Sequence, residues 1–163
     1  MSAYDETVRA QRAAANPQVS AFVAANAGAG KTRVLTDRVA RLLLAGVRPD
    51  RILCITFTKA AAAEMAARLF SLLGEWALAD DASLAAKLHD LDGGEGPRDF
   101  AEARRLFARA LETPGGLKIQ TIHSFCESVL KRFPLEAGVA PGFSVIEEAE
   151  AKALAHQAID TVA

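Results

Sequence analysis

A chain of 163 residues, 51% of them hydrophobic, is long enough to bury one substantial core. Its net charge of −1 excludes a global basic field, so any contact with a nucleic acid must be local. Its two cysteines, Cys54 and Cys126, lie far apart in apolar segments, which excludes a disulfide framework or a metal-spaced cluster. A reducing cytoplasm is the expected setting. Asp5, Glu6 and Arg9 stand where a signal peptide would be apolar, and no run approaches the ~18 apolar residues that cross a bilayer.

In chain order, residues 5–15 read as a short helix stopped by Asn16-Pro17. The apolar run from Val19 to Ala24 reads as a buried strand that delivers the chain to a loop of small residues at 25–30. A helix follows from Lys31 to about Ala45, with Val34, Leu35, Val39, Leu42 and Leu43 at helical spacing and Gly46 and Pro49 as stop signals. Ile52 to Thr56 is nearly continuous in apolar residues, the mark of a strand buried on both faces of a parallel sheet. Strand, helix and strand with short links make a right-handed βαβ unit, so the core is expected to be α/β. A long helix then spans about 59–79, with Met65, Leu69, Leu72, Leu73 and Trp76 along one side as packing residues. Two helices at about 82–91 and 98–112 flank a Gly-rich linker at 92–97. Arg98, Arg104, Arg105 and Arg109 could touch phosphates, but Asp99, Glu102 and Glu112 are interleaved with them, and a solvated helix face is expected. Residues 117–122 read as a strand, about 123–133 as a helix, 134–144 as a loop, and 147 onward as a helix with no stop signal, which is read as a truncation.

Residues 25–32, Ala-Asn-Ala-Gly-Ala-Gly-Lys-Thr, carry the chemistry. Backbone N–H groups wrap a phosphate only where no side chain intrudes, and Gly28, Ala29 and Gly30 are minimal. Lys31 then brings a point charge to the β/γ-phosphates, and the Thr32 hydroxyl is a ligand for Mg²⁺. On this reading Ala25, Asn26, Ala27, Gly28, Ala29, Gly30, Lys31 and Thr32 bind the nucleotide, with Lys31 and Thr32 also serving catalysis. The competing reading is a Gly/Ala turn that starts an ordinary helix. Ala25 stands where the usual pattern has glycine.

Further segments fall in register with one family. Gln11 in Ala10-Gln-Arg-Ala13 precedes the loop. Thr56-Phe-Thr-Lys-Ala-Ala61 with Glu64-Met65 resembles the motif that closes the second strand of UvrD/Rep-like superfamily 1 helicases. Thr121-Ile-His-Ser-Phe-Cys126 is similar to a segment of the RecB and AddA branch. Arg132 to Val139 and Phe143 to Glu150 resemble the AddA family of helicase–nuclease proteins, of the alphaproteobacterial type, in which Ala at the first loop position is common.

The resemblance implies part of a RecA-like P-loop NTPase lobe, incomplete, over residues 1–146 with a variable helical insertion at 80–116, and the start of a helical subdomain at 147–163. It implies a motor using ATP and Mg²⁺ to move 3′ to 5′ on single-stranded DNA, a distant C-terminal nuclease, action on DNA ends in double-strand-break repair, and a partner protein of the AddB type. It assigns Gln11 to adenine, whose N6/N7 edge a carboxamide complements. It assigns DNA contact to Thr56, Phe57, Thr58, Lys59, Thr121, His123 and Ser124. For Phe57 the residues leave two roles open, a stacking face for a base or a plug in the core. Cys54 and Cys126 are expected as small core residues, and His89 and His156 have no neighbours that would make them ligands.

Hydrolysis needs an acidic pair after an apolar strand. Asp5-Glu6 lacks the strand, and Glu147-Glu148 begins with Glu and matches the helical insertion. The segment alone is therefore expected to bind ATP weakly, if at all, and neither to hydrolyse it nor to unwind DNA. Two rival readings are a small P-loop kinase and a non-catalytic single-stranded-DNA module.

Overall fold

The computed structural model describes the chain apart from residues 1, 2, 25, 27, 29, 95, 97, 98, 147 and 163. It divides into two compact units, Met1–Thr121 and Ile122–Ala163. In the first unit α1 (Ala3–Ala14) precedes the phosphate-loop segment and α2 (Lys31–Leu44). A 3₁₀ turn (Pro49–Arg51) leads into β1 (Leu53–Thr56), followed by α3 (Lys59–Leu78), α4 (Asp81–Asp92), α5 (Phe100–Glu112) and β2 (Lys118–Thr121). The two strands pair in parallel, with Leu53 opposite Lys118 and Thr56 opposite Thr121. Parallel neighbours need a long crossover, and here the crossover is three helices.

Side-chain oxygens at the helix starts set where those helices begin. Thr58 accepts from the Ala61 N–H at 3.1 Å, Asp80 from Ser83 at 2.8 Å and Asp99 from Glu102 at 2.9 Å. Each satisfies a donor that the first helical turn leaves orphaned, a cap worth about 1 kcal/mol. The hydrogen bonds from Ser83 also hold the Asp80 carboxyl below the usual range. Gly93 ends α4 at φ 74°, a left-handed stop that L residues resist.

The core is built around α3. Met65, Leu69, Leu73 and Trp76 are buried on it, and the packing role expected of the methionine and tryptophan holds. Leu84, Leu88 and Leu91 of α4, and Ala103, Leu106 and Ala110 of α5, close over them in one cluster with Val39, Leu43 and Leu44 of α2. Phe70 and Phe107 meet edge-on, their ring centres 6.2 Å apart, a favoured aromatic geometry. The Trp76 indole is fully buried, yet its Nε1 has no hydrogen-bond partner among the described residues.

Two expectations need correction. Residues 19–24 form no strand: they join neither β1 nor β2, and Phe22 is 96% exposed. An apolar run becomes a strand only when a neighbour supplies ladder hydrogen bonds, and the two described strands pair with each other. Nor is β1 buried on both faces. Ile52 is buried and Cys54 half-buried, while Leu53 and Ile55 lie on the open side. α3 packs against both strands, and no described helix of this unit covers the opposite face.

The second unit holds α6 (Ile122–Arg132), a turn-rich segment through 142 and α7 (Glu148–Val162). No residue of α6 is buried. Cys126, expected in a core, is therefore exposed, since no packed layer covers its face. Lys131 pairs with Glu127 one turn back at 2.6 Å.

Because α5 shares its buried face with α3, the 80–116 segment is part of the core and not an appendage. Leu106→Ala is expected to cost about 2–5 kcal/mol, as buried Leu→Ala changes do; denaturant melts that matched wild type would contradict this packing.

Candidate nucleotide-binding site and nucleic-acid interface

α2 begins without the usual chemistry of a helix start. Its N-cap is Gly30, at φ 85° and with no side-chain cap, and its first turn carries no acidic residue. No side chain caps this end of the helix, which is the end where the backbone dipole favours an anion. The Val34 N–H already bonds the Gly30 carbonyl at 3.1 Å. Gly28, at φ 80°, supplies a second left-handed turn. Lys31 folds its ammonium back across the loop onto the Asn26 carbonyl at 2.6 Å. Thr32 is half-buried, and its carbonyl accepts from the Thr36 hydroxyl at 2.9 Å. An uncapped helix end, a folded-back ammonium and one hydroxyl together suit a phosphate chain with a bound Mg²⁺. Ala25, Ala27 and Ala29 lie outside the described residues, so their loop contacts stay at the level of sequence.

Gln11 sits against this loop. A Cβ built on Gly30 would stand 3.0 Å from the Gln11 Nε2, so the glycine is what lets the carboxamide approach. Three α2 arginines belong to the same framework. Arg38 donates to the carbonyls of Ala14 (3.2 Å), Asn16 (2.7 Å) and Val19 (2.7 Å). Arg41 donates to the Arg12 carbonyl at 2.9 Å. Arg33 reaches Asp37 at 3.6 Å and Asp90 of α4 at 3.2 Å. Burial pushes the Asp37 carboxyl above its ordinary range, with Arg33 opposing the shift.

At the carboxyl ends of the strands, the register sets Thr56 directly opposite Thr121, where open α/β sheets place ligands. Two motifs far apart in sequence thus converge. Phe57 is 88% exposed, so it plugs no core among the described residues. Thr58 and Thr56 already have local duties: Thr58 caps α3, and the Thr56 hydroxyl donates to the Thr58 carbonyl at 3.0 Å. Lys59 is exposed in the first turn of α3, and Thr121 is buried. His123 (exposed) and Ser124 (half-buried) stand near the start of α6 in the second unit.

Two of the α5 arginines, Arg104 and Arg109, make structural contacts, while Arg105 is exposed. Arg104 donates to the Ala79 carbonyl at 3.0 Å and pairs with Asp81 at 2.6 Å, and Arg109 pairs with Glu102. Arg98 lies outside the described residues. Sequence reasoning overlooked Arg38 and Arg41, yet a signal was present. α1 ends without a left-handed glycine, so its last carbonyls needed donors from elsewhere.

Gly30→Ala places a side chain in a left-handed residue, at a cost of about 1–2 kcal/mol, and against Gln11. Lower melting together with weaker nucleotide binding is the expected result. Wild-type values for both would contradict the close approach of Gln11 to Gly30.

Comparison with known proteins bears on what this site serves. Residues 7–163 match the UvrD/REP helicase N-terminal domain. A protein of Desulforamulus reducens named as an ATP-dependent helicase/nuclease subunit is 38% identical over 136 residues, covering 82% of this chain and 9% of the relative. Relatives of the same name from Anoxybacillus flavithermus (34% over 144 residues) and Acetivibrio thermocellus (34% over 146) cover 86% and 88% of this chain, and 10% of each relative. The chain thus spans about a tenth of the length of these relatives. The helix-rich α/β arrangement around a parallel strand pair is that of a partial RecA-like lobe. With a match over nearly its whole length, the chain belongs to the UvrD/REP helicase N-terminal domain family.

Proposed function

We propose that this chain is the nucleotide-gripping part of an ATP-driven DNA helicase–nuclease, of the kind described by the name its relatives share, that of an ATP-dependent helicase/nuclease. The observation that carries the reading is the uncapped start of α2 beneath the folded-back Lys31, with Gln11 set against Gly30. Gln11 reads the adenine edge, and the loop of residues 25–30 wraps the phosphates. Lys31 exchanges the Asn26 carbonyl for the β/γ-phosphates. Thr32 offers its hydroxyl to Mg²⁺, which when bound draws charge from the phosphate oxygens. Charge-assisted bonds to the phosphates would replace the contact of Lys31 with the Asn26 carbonyl when nucleotide enters.

The DNA track is assigned to Thr56, Phe57, Thr58 and Lys59 with Thr121, His123 and Ser124. The pairing of Thr56 with Thr121 and the exposed Phe57 ring support it. The longer protein would translocate 3′ to 5′ and process DNA ends beside a partner of the AddB type, in the cytoplasm. In that protein residues 1–146 belong to the ATP-binding lobe and 147–163 begin a helical subdomain. No helix among the described residues is long and apolar enough to cross a membrane. Hydrolysis itself falls to acidic residues of the longer protein, so the segment alone holds nucleotide weakly and does not turn it over.

In the full-length protein, Lys31→Ala should lower ATPase and unwinding by about a hundredfold or more, as loss of one preorganised charge donor does, with the fold intact by circular dichroism. ATP hydrolysis at the wild-type rate would reject the phosphate-loop assignment. Phe57→Ala should weaken single-stranded-DNA binding by about 1–3 kcal/mol, the worth of one base–aromatic stack, and leave the melting temperature unchanged. A melting loss with unaltered DNA affinity would return Phe57 to a structural role.

A further inference from the structure

We propose that Asp90, in the last turn of the inserted helix α4, is a positioning residue for nucleotide binding that holds the base-reading helix and the phosphate-loop helix in one frame. The proposal rests on the nucleotide reading given above. Asp90 lies far in sequence from both helices but meets each of them. Its Oδ1 accepts from Arg12 Nη2 at 2.9 Å and its Oδ2 from Arg33 Nη2 at 3.2 Å. Its main-chain carbonyl accepts from Arg12 Nε at 2.8 Å. That carbonyl is one that the end of α4 leaves without a helical partner, and a cation there also opposes the negative end of the helix dipole.

The arginines' places in the chain give this cluster its meaning. Arg12 directly follows Gln11, and Arg33 directly follows Thr32. One carboxylate thus ties the neighbour of the adenine-reading residue to the neighbour of the phosphate-loop threonine. The carboxylate itself is well placed to act as a fixed reference. α4 is seated in the core by Leu84, Leu88 and Leu91. Arg12, Arg33 and Asp90 also share the wall of a cavity of about 460 Å³ with Tyr4 and Val8, so a shift of this network reshapes open space beside α1.

Asp90 is separable from the packing of its own helix. It caps nothing on α4, whose N-cap is Asp80, and its side chain is 61% exposed. Exposed ion pairs are worth little one at a time. Two guanidinium groups on one carboxylate, with a backbone acceptor added, set relative position more than they add stability. The residue belongs to the 80–116 segment, and it gives that segment a task in nucleotide binding.

The test uses the full-length protein with Asp90→Asn and Asp90→Glu, reading steady-state ATPase and GTPase together with thermal melting. Asp90→Asn is expected to raise KM for ATP about three- to fivefold with kcat within about twofold, the signature of lost ground-state positioning. The preference for ATP over GTP should narrow, because Gln11 loses its register with Gly30. Melting should match wild type, and Asp90→Glu should restore most of the KM. Unchanged KM and base preference would overturn the proposal, as would a KM loss accompanied by a matching fall in melting temperature. Lys31→Ala, assayed alongside for ATP binding, separates the two readings. If it abolishes binding while Asp90→Asn is silent, the positioning role alone fails. If it binds ATP as wild type does, the nucleotide site itself is wrong and the role of Asp90 falls with it.

Discussion

The Arg38 guanidinium reaches the carbonyls of Ala14, Asn16 and Val19, and much else in the molecule depends on that contact. A helix that ends without a glycine leaves its final carbonyls unpaired, and the irregular segment after it has no ladder to satisfy them. A planar donor with five N–H groups can serve several such acceptors at once, which an ammonium on a flexible stem does less well. Through Arg38, and through Arg41 on the Arg12 carbonyl, α2 holds the end of α1 and the approach to the phosphate loop. The geometry between Gln11 and Gly30 follows from this grip.

The same helix is clamped from its other side. Val39, Leu43 and Leu44 bury against α3, and α3 is roofed by α4 and α5. The layers thus run from an apolar centre at Leu69, Leu73 and Trp76 outward to a charged seam where Arg12, Arg33, Asp37 and Asp90 meet. Apolar burial supplies most of the stability and has no direction, whereas the arginine contacts are directional and fix how the layers register. The Asp37 carboxyl bears the cost of this arrangement. It is drawn partly out of water, and its pKa rises despite the arginine beside it. The fold therefore favours its neutral form, and what that form adds to stability is present below the ordinary Asp range and lost as pH rises through the elevated value.

The strand pair is the thinnest part of the first unit. With four residues in each strand and one face open, Leu53 and Ile55 present apolar surface that a complete α/β sheet would cover. Of the residues proposed to meet DNA, Thr56 and Thr121 stand opposite each other at the carboxyl end of this pair, and Phe57 and Thr58 follow directly on β1. A strand end can serve a ligand there because its side chains and free backbone groups point past the last ladder bond. Thr58 shows the double duty this creates, since its hydroxyl starts α3 whether or not a phosphate is near.

Local patterning was enough to place most of the elements. Apolar spacing, Asn16-Pro17 after α1, Gly46 and Pro49 after α2 and the Gly-rich linker at 92–97 all act within a few residues of where they stand. Helices α1 to α5 and both strands were therefore legible in the sequence alone, while the caps at Thr58, Asp80 and Asp99 emerged with the structure. The proposed phosphate-binding segment stands out in the sequence for the same reason, because small residues followed by Lys31-Thr32 are a local pattern that suits an anion on a backbone. What the sequence could not decide was anything requiring a distant partner. Among the described residues, 19–24 have the composition of a strand but no strand neighbour, and Cys126 has an apolar setting in sequence but is exposed. Phe57 could not be assigned between core and surface until the packing of α3 left it outside. The pairing of Thr56 with Thr121, the reach of Arg38 to three carbonyls and the meeting of Arg12 and Arg33 at Asp90 join residues 19 to 78 positions apart. Contacts of that kind leave no periodic trace in a chain, and only its tertiary folding brings them about.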